Sequence, residues 1–416
     1  MTIAKLSRAV LMGGMAWGMI ATAAFAADIT FWTWRQEDKA AYEKFFSAFT
    51  AENPDINVKF EALPDATYPT MVSTGLAAGK AADVIHTHAY GWLDQFVRSG
   101  YLEPLDETTV PSLANFTPDA IEALSFREDH KVYSVPFATM TLGLFINEDV
   151  FEKAGLTPPT TWEEFKTVGD ALKAKGIIPL ANGLGTSWFN EMFVSVFAGP
   201  FLGPEFGAEL STGATTYKDP RYAAALSKLL ELRDYMPPNF AGVDYETAGQ
   251  LFLSGRAAML AGGSFDIANY RKLNPSLKMD FIAPPAASAG DVPHASKFYD
   301  GGYAVNAASP NKEAALRLVN WMGTTEFGNM FSNTLGNISP INGVEITDPI
   351  LHHVAELNKT AVPHLNVVYF RFGKPTGSEI LQANITKMMS GDMTPEQVGV
   401  EMTNGIATWF APFQGK

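Results

Sequence analysis

Short β-like runs and amphipathic helical segments alternate along nearly the whole of this chain, and that alternation leaves few architectures open. Residues 29–34 form the first β-like run. A helix follows from about Asp38, with Tyr42, Phe45, Phe46 and Phe49 at helical spacing, and Asn53-Pro54 stops it. Ile56, Val58 and Phe60 alternate as a half-buried strand, and residues 82–87 read as a short buried one. Trp92, Leu93, Phe96 and Val97 then share a helix face that ends at Gly100. This rhythm predicts a parallel sheet with helices on both sides.

The same pattern continues downstream. Leu142, Leu144 and Ile146 mark a strand. Thr161-Trp162-Glu163-Glu164 is a capping box, and Asp219-Pro220 opens a helix carrying Tyr222, Leu226, Leu229 and Leu230. Residues 255–263 read as a turn, a buried strand and a second turn. Tyr303, Val305 and Ala307 alternate. Ser309-Pro310 is expected to cap a helix that buries Ala314, Ala315, Leu318, Val319 and Met322. Asp348-Pro349 and Thr394-Pro395 open the last helices, and Gly391 is a helix stop.

The first 26 residues are set apart. Lys5 and Arg8 precede an apolar run over residues 9–24, and Ala24-Phe25-Ala26 is a small-x-small cleavage signal. This is the pattern of a secretory signal peptide, which makes Ala27 the expected mature N-terminus. The apolar run is shorter than the ~20 residues a membrane span needs. With no cysteine there is neither a disulfide framework nor a thiol for a lipid anchor. A periplasmic protein of a Gram-negative cell is the expectation. The leader carries two basic residues and no acid, so its removal takes the formal charge from −14 to −16. That acidity argues against nucleic acid and anionic lipid as partners. About 390 residues remain, more than one hydrophobic core usually serves, so two domains are expected.

Several segments, in order, carry a resemblance. They are Ala82-Asp83-Val84-Ile85, Gly100-Tyr101-Leu102-Glu103-Pro104-Leu105-Asp106, and Tyr133-Ser134-Val135-Pro136 running into Leu144-Phe145-Ile146-Asn147-Glu148-Asp149. Ala154-Gly155-Leu156 leads to Pro159-Thr160-Thr161-Trp162-Glu163-Glu164-Phe165. Phe252-Leu253-Ser254-Gly255-Arg256-Ala257-Ala258-Met259 and Asn306-Ala307-Ala308-Ser309-Pro310-Asn311-Lys312-Glu313 follow. Together they resemble the sugar-binding proteins of ABC importers, extracellular solute-binding protein family 1, relatives of maltose-binding protein. The resemblance implies an α/β, two-lobed periplasmic-binding-protein fold (type II), with a ligand cleft between lobes joined by a multi-crossing hinge. It places one lobe at residues 27–138 plus 303–336 and the other at 142–300 plus 340–416. The hinge crossings fall at 139–141, 301–302 and 337–339. It also implies a monomer, a small-molecule sugar ligand and an inner-membrane ABC permease as partner, with no cofactor.

A sugar presents weakly apolar C–H faces and a rim of hydroxyls, so its site pairs aromatic rings with hydrogen-bonding side chains. In the family such residues lie on loops lining the cleft. The matching loops here hold Trp34, Arg35, Gln36 and Glu37; His88 and Tyr90; Phe137 and Thr139; Trp188 and Asn190; Gly263, Ser264, Phe265 and Asp266; Asp300, Gly301 and Tyr303; and Asn337 and Arg371. His86 and His88 lack the further ligands a metal needs. The stretch at residues 182–187 lacks the lysine of a phosphate loop. Three cargo or activity classes remain in view. The first is a sugar, including an acidic one held by Arg35 and Arg371. The second is a polyamine held by acids among aromatics. The third is a glycosidase using a pair among Glu37, Asp38, Asp266 and Asp300.

Overall fold

The computed structural model describes residues 27–64 and 67–416; the leader expected at residues 1–26 lies outside the described residues. Among those described, eleven strands form two sheets. They are β1 (Ala27–Thr33), β2 (Ile56–Ala62), β3 (Val84–His88), β4 (Val135–Pro136), β5 (Thr139–Asn147), β6 (Ile178–Leu180), β7 (Ala257–Gly263), β8 (Met279–Ile282), β9 (Ser296–Tyr299), β10 (Gly301–Val305) and β11 (Val362–Pro363). The first sheet runs β2-β1-β3-β10-β4. The second runs β11-β9-β5-β7-β6, with β8 also paired to β5.

The parallel sheet expected from the alternation holds for β2-β1-β3, which are joined through helices. β10 instead runs antiparallel to both β3 and β4. It enters from the other sheet and not over a crossover helix, so nothing forces it parallel. The second sheet is mixed for the same reason: β5 lies antiparallel to β7, β8 and β9.

The amphipathic faces pack as their spacing predicts. The helix Lys39–Glu52 buries Tyr42, Phe45, Phe46 and Phe49 against the first sheet, where Phe31 stacks on Tyr42 at 5.3 Å. Both halves of the Thr161/Glu164 capping box form. Asp348 and Thr394 each cap a helix, and Gly391 ends one in the left-handed conformation. One cap differs. The helix Lys312–Trp321 starts two residues later than Ser309-Pro310 suggests, with Asn311 as N-cap. Ser309 is otherwise engaged: its hydroxyl donates to Asp83 Oδ1 at 2.6 Å and accepts from the Asn311 amide. The other oxygen of Asp83 accepts from the amide and hydroxyl of Thr30. One buried carboxylate thus ties β1, the start of β3 and the lead-in to this helix.

The two sheets meet where the chain passes between them. Residues 137–138 link β4 to β5, and Asp300 alone links β9 to β10. These links bond to each other: the Phe137 amide donates to Gly301 O, and the Asp300 amide to Ala138 O. A third segment follows the helix Thr325–Leu335. Ile338 bridges to Thr139 of the second sheet and Ile341 to Phe116 beside the first. Gly301 lies so close to β3 that a Cβ there would sit 1.8 Å from the Thr87 carbonyl oxygen. A second close approach joins the two halves. A Cβ on Gly91, which opens the helix Gly91–Arg98 behind β3, would sit 1.9 Å from the carbonyl oxygen of Arg371.

Candidate functional site

Between the two sheets lies an open cavity of about 790 Å3, within the range of small-molecule sites. Its walls come from both halves of the molecule, and each is built differently.

The wall on the first sheet starts just past β1. Trp34 lies over two histidines of β3, with ring centroids 4.0 Å from His86 and 4.1 Å from His88, and against Tyr68 at 5.4 Å. His86 is fully buried. Desolvation first, then the nearby Arg35 and His88, hold its imidazole well below the usual histidine range, so it packs as a neutral ring. Arg35 reaches back to the buried Asp38 with its Nε and to Glu37 at 3.3 Å, and lies 5.7 Å from the Phe137 ring centroid. His88 Nδ1 faces Asp300, 3.3 Å from its carbonyl oxygen and 3.8 Å from Oδ1. Burial pushes the Asp300 carboxyl up, but His88, Arg35 and Arg371 outweigh it and leave the carboxyl below its ordinary range.

The opposite wall is aromatic. Trp188, at the start of the helix Ser187–Leu202, is 39% exposed. It packs on Tyr245 at 4.8 Å, with Phe265 at 6.5 Å; Tyr245 in turn packs on Phe189 at 5.3 Å. Tyr245 opens the helix Tyr245–Leu253, capped by Asp244. Its hydroxyl donates to the buried carboxyl of Asp266 just beyond β7. Met140, Met192, Phe298 and Asn337 also line the cavity, and Lys44 and Lys272 stand exposed at the rim.

Nine of the residues expected from the sequence line this cavity: Trp34, Arg35, Glu37, His88, Trp188, Phe265, Asp266, Asp300 and Asn337. The others lie outside the lining. Gln36 is exposed on a short 3-10 turn. Tyr90 lines a separate cavity of about 200 Å3, and its hydroxyl accepts the Tyr299 amide. Phe137 and Tyr303 are core; the Tyr303 hydroxyl meets that of Tyr42 at 2.6 Å. The amide of Thr139 donates to Ile338 O, and Ser264 Oγ accepts from the amide of Thr141. Asn190 is buried, donating to Leu184 O and Thr386. Gly263 ends β7 and Gly301 opens β10, and neither lines the cavity. Arg371 turns away to Ser378 at 2.7 Å and to the buried Glu191 at 3.4 Å.

Sequence reasoning missed Tyr245, Met140, Met192 and Phe298, and placed Asp38 only among candidate catalytic acids. For Tyr245 a signal existed, since Asp244 before it is a favoured N-cap residue. Nothing local said that this helix start faces a cleft. Among the described residues no group of three or more His, Cys, Asp or Glu side chains is placed to hold a metal ion, and no helix is long and apolar enough to cross a membrane.

Residues 32–328 match the family model described as bacterial extracellular solute-binding protein. A binding protein of Brucella abortus (strain 2308) is 26% identical over 81% of this chain and 82% of its own length. A maltotriose-binding protein of Pyrococcus abyssi is 28% identical over 74% of this chain and 65% of its own. A solved chitin oligosaccharide binding protein superposes with a TM-score of 0.77 at 22% identity, over 92% of this chain and 99% of that one; it carries the likeness of fold.

Proposed function

The chain belongs to the bacterial extracellular solute-binding protein family, and from that premise we propose that it captures a small, uncharged carbohydrate in the periplasm and hands it to an ABC importer. It is a receptor and not an enzyme. The observation that carries the reading is the cavity of about 790 Å3 with aromatic faces on both walls, Trp34 on one and Trp188 with Phe265 on the other, ringed by hydrogen-bonding groups. That is the surface a sugar's C–H faces and hydroxyls require. The names of similar proteins, a multiple sugar-binding protein and a lactose-binding protein among them, agree with it.

The charges within the cavity are paired, which favours a neutral cargo, and Lys44 and Lys272 stand only at its rim. Arg35 is tied to Asp38 and Glu37, and Arg371 to Glu191 outside the lining. Neither guanidinium is left to seize a sugar acid. The acids are engaged as well, Asp38 by Arg35, Asp300 beside His88, and Asp266 by a phenol. This speaks against a polyamine and leaves no opposed pair of free carboxylates for glycoside hydrolysis.

In this reading the fold is the type II arrangement. Its lobes span 27–138 plus 303–336 and 142–300 plus 340–416, and the three crossings act as the hinge. A ligand touching both walls shifts the population from open to closed, and the closed monomer meets an inner-membrane permease. The cell is Gram-negative, and the leader is cleaved after Ala26. Of the nine cavity-lining residues predicted from sequence, all but Asp266, whose buried carboxyl is taken by the Tyr245 hydroxyl, form the ligand-contact set, together with Tyr245.

The test is a thermal-shift screen of the mature protein against neutral mono- and oligosaccharides, polyols, sugar acids and polyamines, because a ligand that binds only the folded form raises Tm. A shift with one neutral class, and recovery of the sugar intact, supports the reading. A shift with sugar acids alone or polyamines alone overturns the cargo.

A further inference from the structure

Asp266 breaks a rule of protein interiors. Its side chain is buried, with 3% of the residue exposed. No arginine, lysine or histidine forms a salt bridge with it among the described residues. An unpaired buried carboxyl is costly, and burial accordingly pushes this one up to about 7, against the pull of its two phenol neighbours. A position that served packing alone would be better filled by an apolar residue.

What the carboxyl does hold is specific. One oxygen accepts the Tyr245 hydroxyl. Tyr270 lies beside the same carboxyl, and its hydroxyl and Asp266 Oδ2 are both buried with no hydrogen-bond partner among the described residues. Tyr245 carries the contact to the cleft: its ring is the nearest aromatic neighbour of Trp188, at 4.8 Å, and also packs on Phe189. The Trp188 indole, 39% exposed, makes no hydrogen bond to another described residue.

We infer that Asp266 is a positioning residue: through the Tyr245 hydroxyl it fixes the Trp188 face against which the ligand lies. The inference rests on the carbohydrate reading for its purpose but not for its test. Asn can take over the role, because its carbonyl accepts from Tyr245 while its amide donates to Tyr270. Ala cannot.

The first readout needs no ligand. Acrylamide quenching of Trp188 is obtained as the difference between each variant and the same variant carrying Trp188→Phe. Quenching of Trp188 rises in Asp266→Ala and in Tyr245→Phe and stays at the parent level in Asp266→Asn. The Asp266→Ala/Tyr245→Phe double variant is no worse than Asp266→Ala, since both changes cut one link. With whichever sugar the screen identifies, Asp266→Ala and Tyr245→Phe weaken binding about tenfold or more, and Asp266→Asn restores it. If Asp266→Ala does not fold, Tyr245→Phe against Asp266→Asn carries the test. Unchanged Trp188 quenching in Tyr245→Phe overturns the inference, as does additivity in the double variant. Failure of every sugar to bind the parent, with the quenching pattern intact, overturns the carbohydrate reading and leaves the positioning role standing.

Discussion

The two walls of the cleft hold their aromatic faces by opposite means. On the first sheet, Trp34 is packed over His86 and His88 and flanked by an Arg35–Asp38–Glu37 ion cluster. On the other, Trp188 stands half out of the surface and leans on a tyrosine held by a lone buried carboxyl. The first wall is therefore part of its lobe's core, and damage to it should register as lost stability. The second is a surface fixture, and damage to it should register as lost affinity.

The sharpest way to break that contrast is Arg35→Ala. It leaves Asp38, 6% exposed, without its cation, and removing one partner of a buried pair costs about 3–5 kcal/mol. A denaturant melt should show that loss. A cost below about 1 kcal/mol, the level of a surface ion pair, would show that the two walls are not different in kind.

Asp266→Asn should act in the opposite direction. The folded carboxyl titrates at about 7, above the ~3.9 of the unfolded chain. The native protein therefore holds a proton that the unfolded chain releases first. Stability from this group is complete below pH ~4 and drains away as pH climbs through 7. Asparagine does not titrate, so the variant should gain on the parent as pH rises, by on the order of 3 kcal/mol at pH 8. Melts at pH 5 and pH 8 read the difference; a constant gap between the two proteins would mean that the carboxyl is ionised throughout.

Trp188→Ala should weaken sugar binding by about 1–3 kcal/mol, roughly 10- to 100-fold, while costing stability only about 0.5–1.5 kcal/mol, that of an aromatic contact such as the one with Tyr245, and less than Arg35→Ala costs. Calorimetry and a thermal melt on the same sample make the comparison. Smallest of all should be Lys272→Ala at the rim: less than about 0.5 kcal/mol in stability, and no change in affinity for a neutral sugar with added salt.

Much of this could be read from the chain before folding. Capping signals are local, so Thr161, Asp348 and Thr394 declared their helices, and the buried faces at Phe45–Phe49 and Leu226–Leu229 obeyed simple periodicity. The Ser309 cap failed because that hydroxyl answers to Asp83, far away in sequence. The antiparallel direction of β10 was likewise invisible, being set by where the chain returns. At the site, the family resemblance chose the loops, and their composition then brought in Trp34, His88, Trp188, Phe265 and Asp300. It could not tell Tyr303, whose hydroxyl is spent on Tyr42, from Tyr245, whose ring borders the cavity. Nor could it see that Arg371 is claimed by Glu191. Facing is decided by tertiary pairing, which a loop's composition does not encode.

The contact between Gly91 and Arg371 has a consequence for cargo. Where these two halves of the molecule touch, peptide rests on peptide, with no side chain to yield. If closure ends at this contact, the gap left for the ligand is a fixed length set by covalent dimensions, and the protein gauges the thickness of what it carries as well as its chemistry. Sugars alike in hydroxyl pattern but differing in ring substituents would read that gauge directly: affinity should fall in a step, and not by degrees, once the calliper can no longer shut. A gradual decline would show that the halves stop elsewhere.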